Sequence, residues 1–180
     1  LPEKAKFLTS FRDFIFDREL TKHVTGMDAE IARVYGNRVR IRVCGLCWHT
    51  DKLLMVNHKD LKESDFWAPP GGGVEFGESL EAGLKREFME ETNLIVKPGK
   101  FLFGCEYIQD PLHAIELFFE ATRLSGELQT GKDPELPLIQ GAAFFTIKEI
   151  LDMPQDQVHG IFRMIRSAND IRTLNGFYTL

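Results

Sequence analysis

Cysteine is scarce in this chain. Cys44, Cys47 and Cys105 are too few and too irregularly spaced for a disulfide framework, and they suit a reducing compartment. No apolar run approaches the roughly 20 residues needed to span a bilayer, and residues 1–6 lack the apolar stretch of a secretory signal. The expectation is a cytoplasmic protein with no membrane partner. Positive charge is also short: 22 Lys and Arg face 27 Asp and Glu, a net charge of -5. Such a field does not favour a nucleic acid or an anionic membrane as partner, so any phosphate ligand must be held by local chemistry. Internal repeats and low-complexity tracts are absent. What the chain does have is apolar mass, 43% hydrophobic residues with 15 Phe among 180, enough for one sizeable core but not two.

Residues 4–36 mix charge with apolar spacing, as in Phe7, Phe11, Phe14 and Ile15, and predict one or two helices ahead of the first strand. We read residues 1–36 as an N-terminal helical arm, an addition or a homodimer contact, and residues 37–180 as the main domain. From residue 38 the pattern alternates, with Val39, Ile41 and Val43 on one face and Arg38, Arg40 and Arg42 on the other, before an apolar continuation to Trp48. Further strands are predicted over 53–57, 94–96, 101–108, 114–122 and 142–146. Helices are predicted over 80–92, over 147–151 behind a Thr146/Glu149 capping box, and over 157–167 with Val158, Ile161, Phe162 and Ile165 on one face. The pattern reads as a mixed α/β sandwich. Residues 125–141 form the longest loop candidate.

The chemistry is concentrated in residues 69–94, PPGGGVEFGESLEAGLKREFMEETNL. On a helix, Glu87, Glu90 and Glu91 share one sector, since their offsets are three and four. Leu80, Leu84 and Phe88 form a stripe overlapping that sector, which puts the carboxylates at the margin of the core. Like charges at these spacings each cost roughly 0.2 to 0.5 kcal/mol, and anions in the last turn also face the negative end of the helix dipole. Lys85 is better placed for Glu81, and Arg86 alone cannot offset three carboxylates. This is the signature of a site for a hard divalent cation, Mg2+ (or Mn2+), which takes oxygen ligands. Gly71, Gly72 and Gly73, behind two prolines, let backbone approach a ligand closely, and a carbonyl there could join the shell. Asn93 suits a left-handed helix cap.

The segment resembles the Nudix box, G-x5-E-x7-R-E-U-x-E-E-x-G-U with U a bulky apolar residue. Gly72, Glu78, Arg86, Glu87, Phe88, Glu90, Glu91 and Leu94 fall in register, and the one departure is Asn93 for the box glycine. The resemblance implies an α/β/α sandwich with a mixed β-sheet and the N-terminal helical extension as an addition. It implies metal ligation by Glu87, Glu90, Glu91 and the carbonyl of Gly71, with Arg86 among the catalytic residues orienting Glu87, and Glu78 supporting the loop. Gly72, Gly73 and Glu116 are the substrate-side candidates. The implied reaction is metal-assisted attack of water on phosphorus in a small-molecule nucleotide, with the base open between a box glutamate and Glu116, Glu120 or Glu135.

Substrate choice in such a family is made outside the box. Pro111 stands about where ADP-ribose-cleaving relatives carry a proline, which favours ADP-ribose or a nucleotide sugar. A nucleoside triphosphate pyrophosphohydrolase and a non-catalytic nucleotide-sensing module are the alternatives. Cys44 and Cys47 resemble a metal or redox pair on paper, but an offset of three on a strand points them to opposite faces. His49, His58, His113 and His159 lack metal-ligand spacing and are expected at the surface or at edges. Phe66, Trp67, Phe76 and Tyr107 are base-stacking candidates, with ordinary packing the commoner use of aromatics.

Overall fold

In the computed structural model, residues 26–59, 65–131 and 139–180 are described; the candidate base Glu135 and most of the N-terminal arm lie outside them. Strand β1 (Val39–His49) organises the fold. Its first half alternates, and its second half, Val43 through Cys47, is buried on both faces, the mark of a central strand. β1 pairs in parallel with β6 (Leu112–Ser125), from Val39 opposite His113 to Cys47 opposite Ala121. It meets β2 (Lys52–Lys59) only at the tight turn through Thr50 and Asp51, and runs antiparallel to the short β4 (Gly71–Gly73). With β3 (Asp65–Ala68), β5 (Ile95–Gln109) and β8 (Phe177–Thr179) the main order is β3-β2-β1-β6-β5-β8, and β7 (Ile139–Thr146) pairs with β2.

Two apolar layers lie against this mixed sheet. On one side, helix α2 (Leu80–Thr92) seats Leu84 and Phe88 over Val43, Cys47, Leu54, Val96 and Ala121. Gly45 makes this possible, because a Cβ there would stand 2.4 Å from the Phe88 ring. On the other, Cys44, Met55, Phe103 and Phe118 pack against α3 (Ile147–Leu151), Ile161, Phe162 and α4 (Ala168–Thr173). Cys44 and Cys47 therefore belong to different layers, as their offset requires. Helix α1 (Gly26–Tyr35) precedes β1, and Arg40 lies over the Tyr35 ring at 4.0 Å. The architecture is the expected α/β/α sandwich.

Several local expectations are corrected. Residues 157–167 do not form a helix. Trp67 N–H donates to Gln157 O at 2.8 Å and His159 N–H to Trp67 O at 2.9 Å, so the chain there extends along β3. A 3-10 turn (Gly160–Met164) and then α4 follow. The four apolar residues of the predicted face are nevertheless all buried, so the apolar pattern was real and edge pairing overrode its helical period. Leu80 is 37% exposed rather than part of the buried stripe. Residues 95–96 and 101–108 of the two predicted strands belong to one long, irregular strand, β5, and Leu94 precedes it. β3, β4 and β8 were not anticipated.

Candidate active site

Helix α2 presents its glutamates to a strand that has no side chains. Ser79 caps its N-terminus by accepting from Ala82 N–H, and Asn93 closes its C-terminus at φ 57° with its N–H on Met89 O. Residues 126–131 then dock on the last turn: Gly131 N–H donates to Glu91 O at 2.9 Å and Gln129 N–H to Thr92 O at 3.1 Å, satisfying carbonyls the helix leaves open. Opposite lies β4. Gly45 N–H donates to Pro70 O and Val74 N–H to Ile41 O, so by antiparallel alternation Gly71 and Gly73 occupy the non-hydrogen-bonded positions, with their own N–H and C=O groups turned away from β1.

Those groups meet side chains. Gly71 N–H donates to Glu91 Oε2 at 2.9 Å, and its carbonyl accepts from Arg42 Nη2 at 3.0 Å. The Gly73 carbonyl accepts from Arg86 Nη2 at 2.9 Å. At Gly72 a Cβ would stand 2.4 Å from the Glu87 carboxylate; at Gly71, φ is +153° and a Cβ would stand 2.1 Å from Val43 O, so only glycine fits. Arg86 is the hub. It binds Glu78 through two parallel hydrogen bonds of 3.0 and 2.9 Å, and its Nη1 donates to Glu87 at 2.9 Å and Glu90 at 3.0 Å. Its guanidinium is held firmly charged, chiefly by Glu78, whose own carboxyl Arg86 holds below the usual range.

Glu87 and Glu91 are buried. Burial raises the Glu87 carboxyl above its ordinary value despite Arg86, so this anion is short of positive charge. Glu116, on β6, is buried as well, but differently supported. Burial would raise it, yet His159 and then Arg42 outweigh that and hold it down to about 2. His159 Nε2 lies 2.8 Å from one carboxylate oxygen, and Arg42 Nε lies 3.2 Å from the other, too poorly aligned for a hydrogen bond. His159 is therefore not at an edge, and neither is His58. The latter is mostly buried, its Nε2 3.7 Å from Glu91 Oε1, and burial, then Arg42, pushes it down to about 3. Glu120 points elsewhere, at Lys100 3.2 Å away on the surface.

Of the other candidates, Trp67 packs edge-on against Phe145, 4.9 Å between centroids, and Phe76 is fully exposed. Pro111 sits in the β5–β6 turn, where its carbonyl accepts from Asn37 N–H at 2.9 Å. Arg42, His58 and His159 were not singled out for the site from sequence. The one signal available for Arg42 was its place on the arginine face of β1; nothing in the spacing of the histidines pointed inward.

The fit of a hard divalent cation can be judged from the donors. They are carboxylate and carbonyl oxygens, the kind such ions take, and the under-compensated Glu87 is what added positive charge would relieve. As the side chains stand, Glu87 and Glu90 turn to Arg86 and Glu91 to Gly71, and among the described residues no three His, Cys, Asp or Glu side chains are gathered as a ready cage. Glu87, Glu90, Glu91 and the Gly71 carbonyl are the groups that would hold the ion.

An α/β/α sandwich whose acidic helix lies against a three-glycine strand is a well-defined class of protein. A family model described as the NUDIX domain matches residues 36–167, and the chain belongs to the Nudix family. An ADP-ribose pyrophosphatase of Methanocaldococcus jannaschii is 36% identical over 96 residues, 52% of this chain and 56% of that protein; the chain thus spans little more than half of this curated relative. A NUDIX hydrolase from Nitrosomonas europaea superposes with a TM-score of 0.61 at 21% identity, over 75% of this chain and 88% of that one. A MutT NUDIX hydrolase from Burkholderia pseudomallei gives 0.59 at 22%, over 71% and 95%.

Proposed function

We propose that the chain hydrolyses a phosphoanhydride bond in a nucleoside diphosphate linked to a second group, ADP-ribose or a nucleotide sugar, with Mg2+ or Mn2+. The observation that carries this reading is the set of box carboxylates seated on Gly71 to Gly73 around Arg86. When bound at Glu87, Glu90, Glu91 and the Gly71 carbonyl, the cation supplies charge neutralisation of the diphosphate. Gly72 and Gly73 let the substrate approach the backbone. Arg86 orients Glu87 and Glu90 while Glu78 holds Arg86 in turn. For the proton of the attacking water a box glutamate is the proposed acceptor; Glu116, buried and already paired with His159 and Arg42, we assign to support rather than proton transfer. ADP-ribose is favoured by the relative from Methanocaldococcus jannaschii.

The test is phosphate release, coupled to a phosphatase where needed, from ADP-ribose, nucleotide sugars, dinucleoside polyphosphates and nucleoside triphosphates with Mg2+, beside Glu91→Gln. A preference that falls at least a hundredfold in the variant supports the hydrolase; near wild-type turnover in Glu91→Gln overturns the mechanism. Preference for triphosphates would favour the pyrophosphohydrolase, and nucleotide binding without products the sensing module.

We further propose residues 37–180 as the catalytic domain, residues 1–36 as an arm, and a second copy of the chain as partner. By strand register Val39, Ile41, Ile108 and Phe177 share one sheet face and are all exposed, with the His113–Glu106 pair set among them, and this mixed face is the proposed contact. Light scattering at one chain's mass, 20.6 kDa, would end the dimer reading.

A further inference from the structure

The buried polar groups behind the glycine strand form a continuous chain that ends on one of its carbonyls. Ile161 N–H donates to His159 Nδ1 at 3.3 Å. His159 Nε2 faces Glu116 Oε2 at 2.8 Å, and since a carboxylate only accepts, the ring nitrogen donates. Glu116 Oε1 pairs with Arg42 Nε at 3.2 Å, and Arg42 Nη2 donates to the Gly71 carbonyl at 3.0 Å. The N–H of the same residue, in the preceding peptide, donates to Glu91. Glu116 and His159 are both buried, so removing one partner leaves the next charge uncompensated and free to turn.

We propose that His159 is a positioning residue: through Glu116 it holds Arg42 on the Gly71 carbonyl, and so keeps that carbonyl in place beside the N–H of the same residue that binds Glu91. Three features support this. Gly71 lies in a non-hydrogen-bonded position of the β1–β4 pairing, so the ladder does not hold its carbonyl. That carbonyl is met instead by a side chain, Arg42 Nη2, at 3.0 Å. The 3-10 turn that carries His159 is itself anchored, because His159 N–H donates to Trp67 O on β3 at 2.9 Å. The inference rests on the proposed reading of the box as a cation site.

His159 has two separable jobs, and two substitutions divide them. His159→Asn keeps an acceptor near Nδ1 for Ile161 N–H but cannot reach Glu116. His159→Gln keeps a donor near Nε2 for Glu116 and gives up the cap. The readouts are Mn2+ affinity by electron paramagnetic resonance, kcat and KM on the best substrate, and Tm. The expected result is a Mn2+ affinity about tenfold weaker and a kcat about tenfold lower in His159→Asn, with KM within about twofold, and near wild-type values in His159→Gln; losses of this size are usual when a group behind a metal ligand is removed. If the Asn variant matches wild type in both while the Gln variant falls, His159 only caps its turn and the proposal is overturned. Equal losses in both overturn it too. Should either variant not fold, Arg42→Lys decides, since an ammonium cannot span Glu116 and the Gly71 carbonyl together: the same loss of Mn2+ affinity supports the chain and no loss overturns it. A substrate panel that stays silent in the wild type fails the hydrolase reading alone, because Mn2+ affinity still tests the positioning.

Discussion

Glu87 and Glu116 are both buried carboxylates, and they respond to pH with opposite sign. The folded-state value of Glu87 is raised by burial. Its favourable contribution is therefore complete below its unfolded value and is lost as pH rises through the folded one, so at neutral pH its charge costs stability. Glu87→Gln, which keeps the acceptor for Arg86, is expected to raise the Tm of chelator-treated protein by about 2 to 4 °C, the equivalent of about 1 kcal/mol, while turnover falls at least a hundredfold. An unchanged or lower Tm would mean that Arg86 already compensates the charge. Glu116, held at about 2 by His159 and Arg42, contributes stability above its unfolded value that disappears as pH falls from about 4.5 toward about 2. Urea denaturation across that window should show the loss in the wild type and a flatter profile in Glu116→Gln, which should also be about 1 to 2 kcal/mol less stable because the part-buried Arg42 loses its partner. Equal slopes would contradict the assignment.

At the level of elements, the site depends on the C-terminal turn of α2 being closed by residues 126–131. A Cβ on Gly131 would stand 1.7 Å from the Glu90 carbonyl, a backbone atom that cannot yield, so Gly131→Ala must release this loop. Faster hydrogen exchange at the amides of Gln129 and Gly131 is expected, with turnover down about tenfold; unchanged protection would show that the loop docks by other means. The acidic helix was legible in the sequence because its 3.6-residue period, its Asn93 cap and its glutamate spacing are all local. The strand facing it was not, since three glycines have almost no strand propensity and pair only because β1 offers a partner. The arginine face of β1 was visible as alternation, but its use was hidden: Arg42 meets Glu116 and Gly71, neither nearby in sequence. His58 and His159 were misjudged as peripheral for the same reason, and the 157–167 helix because an apolar period cannot reveal that β3 has an edge to fill.

Across the whole molecule, the sandwich was readable from the succession of strands and helices together with the box, while the order of strands was not. The parallel pairing of β1 with β6 follows from no local signal; it is what brings Glu116 beside Arg42 and so joins the site to the layer that holds His159. The two layers share one sheet, yet each has its own thiol reporters. Cys44 and Cys105 are sealed in the layer of α3 and α4, Cys47 under α2, and burial pushes all three thiols up, Cys105 to about 12. None should react with an alkylating reagent until its layer opens, so labelling rates under native conditions measure opening free energies. If the sheet and both layers open as one cooperative unit, the three rates will coincide; if the helix carrying the glutamates can lift alone, Cys47 will be alkylated first, and the chain will have timed the motions of its own active site.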